Sequence, residues 1–475
     1  MKKLLFFSFT VISLGLNAQG LVNSTLQQNH HHESEGAIGP QCGSHLLMKN
    51  QDKKQPGLLN ASNKALQNIV ENLDRSNKTT SATLTIPVVF HIVYNNADEN
   101  LPDSVIQHQL RVLNDNYRRQ NADTTSLRPA FRPYAGNPNI QFELATTDPN
   151  GNPTNGIVRT STDIQHFGGI LPYNINQQSQ IQQWVNDSLF YNLFRISQDS
   201  LGGSDAWDTD KYLNIWVGDL RIFEPQIQNF EELVFLGLAQ PPANHPNFVG
   251  TGFDTLIYDE GVLMHYVAIG PNNPISYPAP YAGLNNTLAD GDLVSHEVGH
   301  YLGLRHIWGD GDCTADDFIF DTPLSNNSNQ FSCNKNRNTC VDSIDGVDLP
   351  DMVENFMDYS SDACLNSFTQ EQAAVMRATL FTYRPNLFTI GQEELPLAES
   401  IECFPNPSSG HLKLSSTAAH DDLEVKVYNS SGALILVKSF SAPSDLELYL
   451  EGPKGLYLVQ VNSAKDQVTF RILKN

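Results

Sequence analysis

Between Asp290 and His306 the chain reads Asp-Gly-Asp-Leu-Val-Ser-His-Glu-Val-Gly-His-Tyr-Leu-Gly-Leu-Arg-His, and no other stretch limits so narrowly what must be built around it. Asp290 or Asp292 can start a helix that Gly303 ends. On that helix His296 and His300 lie four residues apart and face one point, where imidazole nitrogens bind zinc at about 2.0–2.1 Å. Glu297 is their neighbour but not a third ligand. One position along the helix, its carboxylate can take a proton from water held at the metal and later return it to a leaving amine. Gly303 tolerates positive φ, so the chain can turn sharply and bring His306 back to the same point. Three neutral imidazoles leave a fourth position open, as at a catalytic zinc and not a structural one. His91, His108 and His265 are isolated and carry no such pattern.

The rest of the chain must supply a fold for that helix, and its 475 residues are enough for two or three units. A formal charge of -23 leaves no basic stripe to neutralise phosphates, so nucleic acid is excluded as a partner. Lys2 and Lys3 precede an apolar run from Leu4 to Leu16 and then Asn17-Ala18-Gln19, the layout of a secretory signal peptide covering residues 1–18. The run is too short to span a bilayer and no later stretch is longer, so no transmembrane segment is expected. Residues 19–80 are polar, include His30-His31-His32, and show one helical pattern near Ala61–Leu73; they read as a separate pro-segment, with Arg75 and Lys78 as basic cleavage candidates.

From residue 81 the pattern becomes that of a folded domain. Ile86–Tyr94 is β-branched and aromatic, as a buried strand should be. Asp103 or Ser104 can cap a helix in which Ile106, Leu110, Leu113 and Tyr117 recur at helical spacing. Asn139–Ala145 and Tyr212–Val217 read as further strands, and the Pro-, Gly- and Asn-rich stretch from Phe223 to Asn286 predicts long loops around a few short strands. The order implies helices on a twisted sheet. Cys313, Cys333, Cys340 and Cys364 crowd one segment without the short paired spacings of a four-cysteine zinc site, which points to two disulfides with three pairings open. Cys42 and Cys403 stand apart from them.

The histidine string, followed by Asn355-Phe356-Met357-Asp358-Tyr359, resembles the signature of the metzincin metalloproteases. Ile86–Tyr94, Asp321-Thr322-Pro323 and Phe368-Thr369-x-x-Gln372 make the resemblance specifically one to the pappalysin family, over about residues 83–385. It implies an α+β metzincin catalytic domain at 81–388: a twisted mixed sheet with an active-site helix above a loop-rich lower half. It also implies Met357 as the methionine beneath the metal and Tyr359 as the oxyanion-stabilising phenol. Cysteine pairing would be Cys313–Cys340 and Cys333–Cys364. A structural calcium would lie near Asp316, Asp317, Asp321 and the Thr322 carbonyl. Cys42 would hold the open zinc position of a zymogen, although Gln41 stands where similar leaders often carry Arg. Some relatives select Arg or Lys after the cleaved bond with an acidic residue just past the fourth cysteine; here those positions are Leu365 and Asn366, with Asp362 nearby.

Residues 389–398 read as a linker. Beyond it, 399–475 carry Pro405-Asn406-Pro407 and short alternating segments at Leu412–Ser415, Leu423–Tyr428, Ala433–Phe440, Leu446–Leu450, Gly455–Val461 and Val468–Leu473, which predict a small all-β sandwich. This tail resembles the C-terminal sorting domain of type IX secretion cargo, implying the outer-membrane secretion machinery as partner and a secreted or cell-surface destination. The expectation is therefore a secreted zinc metalloendopeptidase, made as a zymogen, that hydrolyses polypeptides with a zinc-activated water. The contrasting expectation, an adhesin that keeps the fold but does not cut, leaves Glu297 without a purpose.

Overall fold

Eight strands form the principal sheet of the N-terminal part of the chain: β1 (Gln41–Cys42), β2 (Leu84–Tyr94), β3 (Ile140–Leu144), β4 (Ile157–Ser161), β5 (Leu213–Gly218), β6 (Phe235–Ala239), β7 (Val262–His265) and β8 (Thr389–Ile390). This computed structural model describes residues 41–73, 82–172, 180, 183–224, 230–232, 235–240, 260–278, 281–390, 401–416, 420–442, 445–463 and 467–475. The expected signal peptide, the histidine triplet at 30–32, the basic pair Arg75 and Lys78, and most of the expected linker lie outside the described residues. Two units divide at Ile390 and Gly391.

Strand β2 organises the first unit. Its β-branched and aromatic residues suit a strand covered on both faces, and Leu84, Ile86, Val88, Phe90 and Ile92 are fully buried. Along one edge it pairs in parallel first with β3 and then with β4; along the other it pairs with β8 and then with β5. The order continues β5–β7–β6–β1, and β6 runs antiparallel to β7. Alternation sends Ile215 and Val217 of β5 into one core and Trp216 into another on the opposite face.

The helix that matters for the site, Asp292–Tyr301, lies in the first of those cores beside the helix Asp103–Tyr117. Their mutual placement is fixed by polar bonds as well as packing. Tyr117 Oη donates to the Ser295 carbonyl at 2.9 Å, Asn116 Nδ2 donates to Asp292 Oδ1 at 2.7 Å, and Gln109 Nε2 donates to the Gly291 carbonyl at 2.9 Å. From Leu302 to Ser367 the chain forms turns, with only isolated bridges at Ile344–Val347 and Asn355–Ser367. Disulfides Cys313–Cys340 and Cys333–Cys364 tie this segment together. Charged groups add to them: Asp351 accepts from Arg337 Nε at 2.6 Å and from the Thr339 amide at 2.8 Å, while Glu354 accepts from Arg128 at 2.7 Å. A capping box of Thr369 and Gln372 then starts the helix Gln370–Tyr383.

The segment read as a pro-segment differs from that reading in two respects. It contains two helices, α1 (Ser44–Lys54) and α2 (Leu58–Glu71), where the pattern gave one; α1 offers only Leu46 and Leu47 as buried apolar residues, too few for a periodic stripe. Nor is it separate. Leu66 and Val70 of α2 join the core that holds Leu84 and Tyr301, and Leu46 and Leu47 of α1 join the one that holds Trp216 and Phe235. Thr389 and Ile390, read as the start of a linker, instead pair with Thr85 and Leu84, where a short antiparallel addition satisfies the free edge of β2.

The second unit consists of two antiparallel sheets. One joins Ile401–Phe404, His411–Ser416 and Leu446–Tyr449; the other joins His420–Tyr428, Leu434–Ala442, Gly455–Asn462 and Gln467–Lys474. Leu423, Val425 and Val427 alternate inward with Tyr457, Val459 and Val461, and meet Leu412, Leu414 and Leu448 in a core of their own. Among the described residues of this unit, Ile401–Phe404 is the one strand that its sequence did not announce.

Candidate active site

His296, His300 and His306 converge. The distances from His300 Nε2 to His296 Nε2 and to His306 Nε2 are both 3.1 Å, and all three rings are buried. Each Nδ1 is already engaged: His296 with the Phe356 carbonyl at 2.7 Å, His300 with the Leu304 carbonyl at 2.9 Å, and His306 with the Asp310 carboxylate. A carbonyl only accepts, so Nδ1 of His296 and of His300 carries the proton and Nε2 presents a lone pair. Burial, with the neighbouring imidazole of His306, pushes His296 down to about 3 and holds His300 well below the usual imidazole range. Neutral lone pairs 3.1 Å apart repel unless a cation lies among them, and this donor set fits zinc.

Local sequence explains the geometry. His296 and His300 share a helix face, and Gly303 adopts φ +94°, which a side chain would resist. Met357, fully buried, lies against the helix at Gly299, where a Cβ would meet its Sδ at 2.5 Å. Asn355 fixes the turn that carries this methionine, accepting from the Met357 amide at 2.9 Å and donating to Gln372 Oε1 at 2.8 Å. Tyr359 packs edge-on to His306 and Trp308, with ring centroids 4.8 Å away in each case.

Cys42, from the segment read as a pro-segment, completes the cluster. Cys42, His296, His300 and His306 offer ligand atoms within 4.8 Å of one another, and among the described residues no other group of three or more such side chains converges. Cys42 Sγ lies 3.4 Å from Glu297 Oε2, Ser44 Oγ donates to the same oxygen at 3.2 Å, and Tyr359 Oη donates to the Cys42 carbonyl at 3.5 Å. Burial pushes Glu297 up to about 8, and burial followed by the charge of Glu297 pushes the Cys42 thiol well above its usual range. Three participants were not legible in the sequence: Ser44, His45 and Asp310. Asp310 accepts from His45 at 2.9 Å as well as from His306. Its only sequence signal is a place four residues after His306, which means little in a loop where Asp310 has φ 58°.

The residues expected around calcium do not converge as the histidines do. Asp317 accepts from Thr322 Oγ1 at 2.8 Å, Asp321 from the Glu371 amide at 2.9 Å, and Asp316 from the Phe318 amide at 2.8 Å. Burial, with Asp316 close by, holds Asp317 well above the carboxylate range, and burial pushes Asp321 up to about 6.

Known proteins share these features. The sequence profile of the family described as pregnancy-associated plasma protein-A matches residues 271–381, and that of the secretion system C-terminal sorting domain matches 402–475. An extracellular metalloprotease of Arthroderma benhamiae is 25% identical over 296 residues, 62% of this chain and 76% of that protein. One of Aspergillus oryzae is 38% identical over 97 residues, 20% of this chain; the match spans only 29% of that protein's length. The structure of a promirolysin variant from Tannerella forsythia is 34% identical, with a TM-score of 0.53 over 73% of this chain and 96% of that one. None of the described helices is long and apolar enough to cross a membrane. Matching the promirolysin chain over 96% of its length at that identity, and carrying a secretion sorting domain at 402–475, the chain belongs to the pappalysin family of metallopeptidases and is a secreted member of it.

Proposed function

We propose that the chain is a zinc-dependent endopeptidase, made as a zymogen, that hydrolyses peptide bonds of extracellular polypeptides. The observation that carries this reading is the convergence of three Nε2 lone pairs beside a buried carboxylate that is not one of the ligands. His296, His300 and His306 would hold zinc, and bound there it would acidify a water and polarise the scissile carbonyl. Glu297 accepts the proton that the attacking water loses and delivers it to the departing amine nitrogen. Tyr359 donates its phenolic hydrogen bond to the oxyanion.

Latency comes from the leader by two routes. Cys42 Sγ, within 4.8 Å of the imidazole nitrogens, would take the position they leave open, and the charge of a bound metal would favour its thiolate against the burial that now opposes it. Meanwhile β1 pairs with β6, occupying backbone groups that an extended substrate would need. A structural calcium on Asp316, Asp317, Asp321 and the Thr322 carbonyl belongs to the same proposal. It is supported by the elevated Asp317 and Asp321, whose burial a divalent cation would offset. The sorting domain would engage the outer-membrane secretion machinery.

The test uses the full chain, loaded with zinc and freed of its leader by brief trypsin treatment, with trypsin then inhibited. Casein should be cut by this protein, and neither after zinc chelation nor by Glu297→Ala. Cutting that survives Glu297→Ala would overturn the general-base assignment, and cutting that survives chelation would overturn the metal.

A further inference from the structure

We propose that the peptide bond Lys54–Gln55 is a processing site, cut by a separate protease that selects Lys or Arg, and that this cut releases residues 41–73 from the active site. The proposal rests on the zymogen reading above and adds the step by which latency ends. Two helices hold this segment, one on each face of the principal sheet. Leu46 and Leu47 of α1 sit in the core with Trp216 and Phe235, whereas Leu66 and Val70 of α2 sit in the core with Ile215 and Tyr301. Polar bonds add to each hold: Asn50 Nδ2 donates to the Asn186 carbonyl at 2.8 Å, and Arg305 Nη2 donates to Ser62 Oγ at 3.0 Å. A cut beyond Leu73, at Arg75 or Lys78, therefore leaves both helices in place, and Cys42 and Ser44 stay beside Glu297.

The turn between the helices is where that double hold can be undone. Lys53, Lys54, Pro56 and Gly57 are exposed, and nothing lies within 4 Å of where a side chain on Gly57 would begin. The turn is held locally: the Gln55 amide donates to the Gln51 carbonyl at 2.8 Å, and Asp52 Oδ1 accepts from the Gly57 and Leu59 amides at 3.0 and 2.9 Å. Unwinding the last turn of α1 costs these bonds and no buried apolar contact, so a protease can draw Lys54 into its own site. Hydrolysis puts the hydroxyl of water on the Lys54 carbonyl carbon and its hydrogen on the Gln55 nitrogen. At neutral pH the products carry a carboxylate at the C-terminus of α1 and an ammonium just before α2, each opposed by the helix dipole it faces. The two helices, no longer joined, also lose the effective concentration that a linker supplies, which weakens each hold by about 10²- to 10⁴-fold. Residues 41–54 are then left with Cys42, Leu46 and Leu47 as their apolar anchors, and a helix that short is marginal by itself.

The experiment follows the pieces first and activity second. Zinc-loaded full-chain Glu297→Ala, which on the reading above does not cut itself, is treated briefly with trypsin. Mass spectrometry reads the order of cuts, and gel filtration reads which pieces stay with the rest of the chain. Loss of residues 41–54 should follow the cut at Lys54–Gln55, and chains cut only beyond Leu73 should keep 41–73 bound. The double variant Lys53→Gln, Lys54→Gln changes exposed side chains and gives up a surface bond of 3.1 Å from Lys53 Nζ to Asn186 Oδ1. With Glu297 intact, it should retain 41–73 and gain activity on casein at least about ten-fold more slowly than the unmodified chain. Release of 41–73 in one piece, or equally fast activation of the double variant, would overturn the processing site and leave the endopeptidase standing. Release that depends on Lys53 and Lys54, while neither chain cuts casein, would support the processing site and overturn the endopeptidase reading.

Discussion

The carboxylate of Asp310 accepts a hydrogen bond from Nδ1 of His306, so the third histidine of the cluster is oriented by a charged group and not by a backbone carbonyl like the other two. Burial opposes ionisation of Asp310, yet the imidazoles of His306 and His45 together hold it well below the usual carboxylate range. A negative charge at that position raises the basicity of the ligand nitrogen. Asp310→Asn should therefore lower zinc affinity about 10- to 100-fold, measured by competition with a chelator, and saturating zinc should restore most of the lost activity. An unchanged affinity would show that Asp310 serves only to seat the leader.

Ser44 would bear on the proposed latency independently of Cys42. Its hydroxyl donates to Glu297 and accepts from the Ala239 amide at 2.9 Å, so it holds the carboxylate and the edge strand at once. A precursor with Cys42→Ala should stay mostly silent on a peptide substrate. Adding Ser44→Ala should raise its rate by about ten-fold, as expected for removing one buried hydrogen bond. If the single Cys42→Ala precursor is already as fast as the mature enzyme, the thiol alone maintains latency.

For Tyr359 the expectation separates chemistry from binding. Tyr359→Phe keeps the ring packed against His306 and Trp308 but removes the donor. It should cut kcat by about 100-fold while KM and melting temperature change little. A change in KM alone would make Tyr359 a wall of the cleft.

Asp321 gives a pH signature. Its folded value of about 6 lies above the value near 3.9 of an unfolded aspartate, so the folded state binds more protons between the two. Stability from this group is complete below about pH 4 and is lost as pH rises through about 6, an effect of about 3 kcal/mol at most. Without calcium, wild-type protein should lose melting temperature relative to Asp321→Asn over that window. Added calcium should narrow the gap if Asp321 is a ligand, and leave it unchanged if not.

What could be read from the sequence follows the range of the interactions involved. His296, Glu297, His300 and His306 are legible because helix geometry converts spacing directly into direction, and Gly303 marks where the helix must end. The alternating strands of the second unit are legible for a similar reason: Leu423, Val425 and Val427 declare their inward face two residues at a time. Asp310, Ser44 and His45 are not, because each acts on a partner brought near by the tertiary fold or by a loop without a period. The same holds for Gln41–Cys42, too short for any strand signal, whose pairing with Phe235 and Gly237 depends on a strand almost two hundred residues away.

Because α1 and α2 supply Leu46, Leu47, Leu66 and Val70 to the interior, the zymogen proposed above would condense around more apolar residues than its mature form keeps. On that proposal the leader would be a mould as well as a lock. Once it is cut away, unfolded enzyme lacks part of the surface on which it first took shape, and after dilution from denaturant it should recover less native protein than the intact precursor does. Each molecule would then have one dependable opportunity to fold, before maturation, and its working life afterwards would be set by how slowly it comes apart.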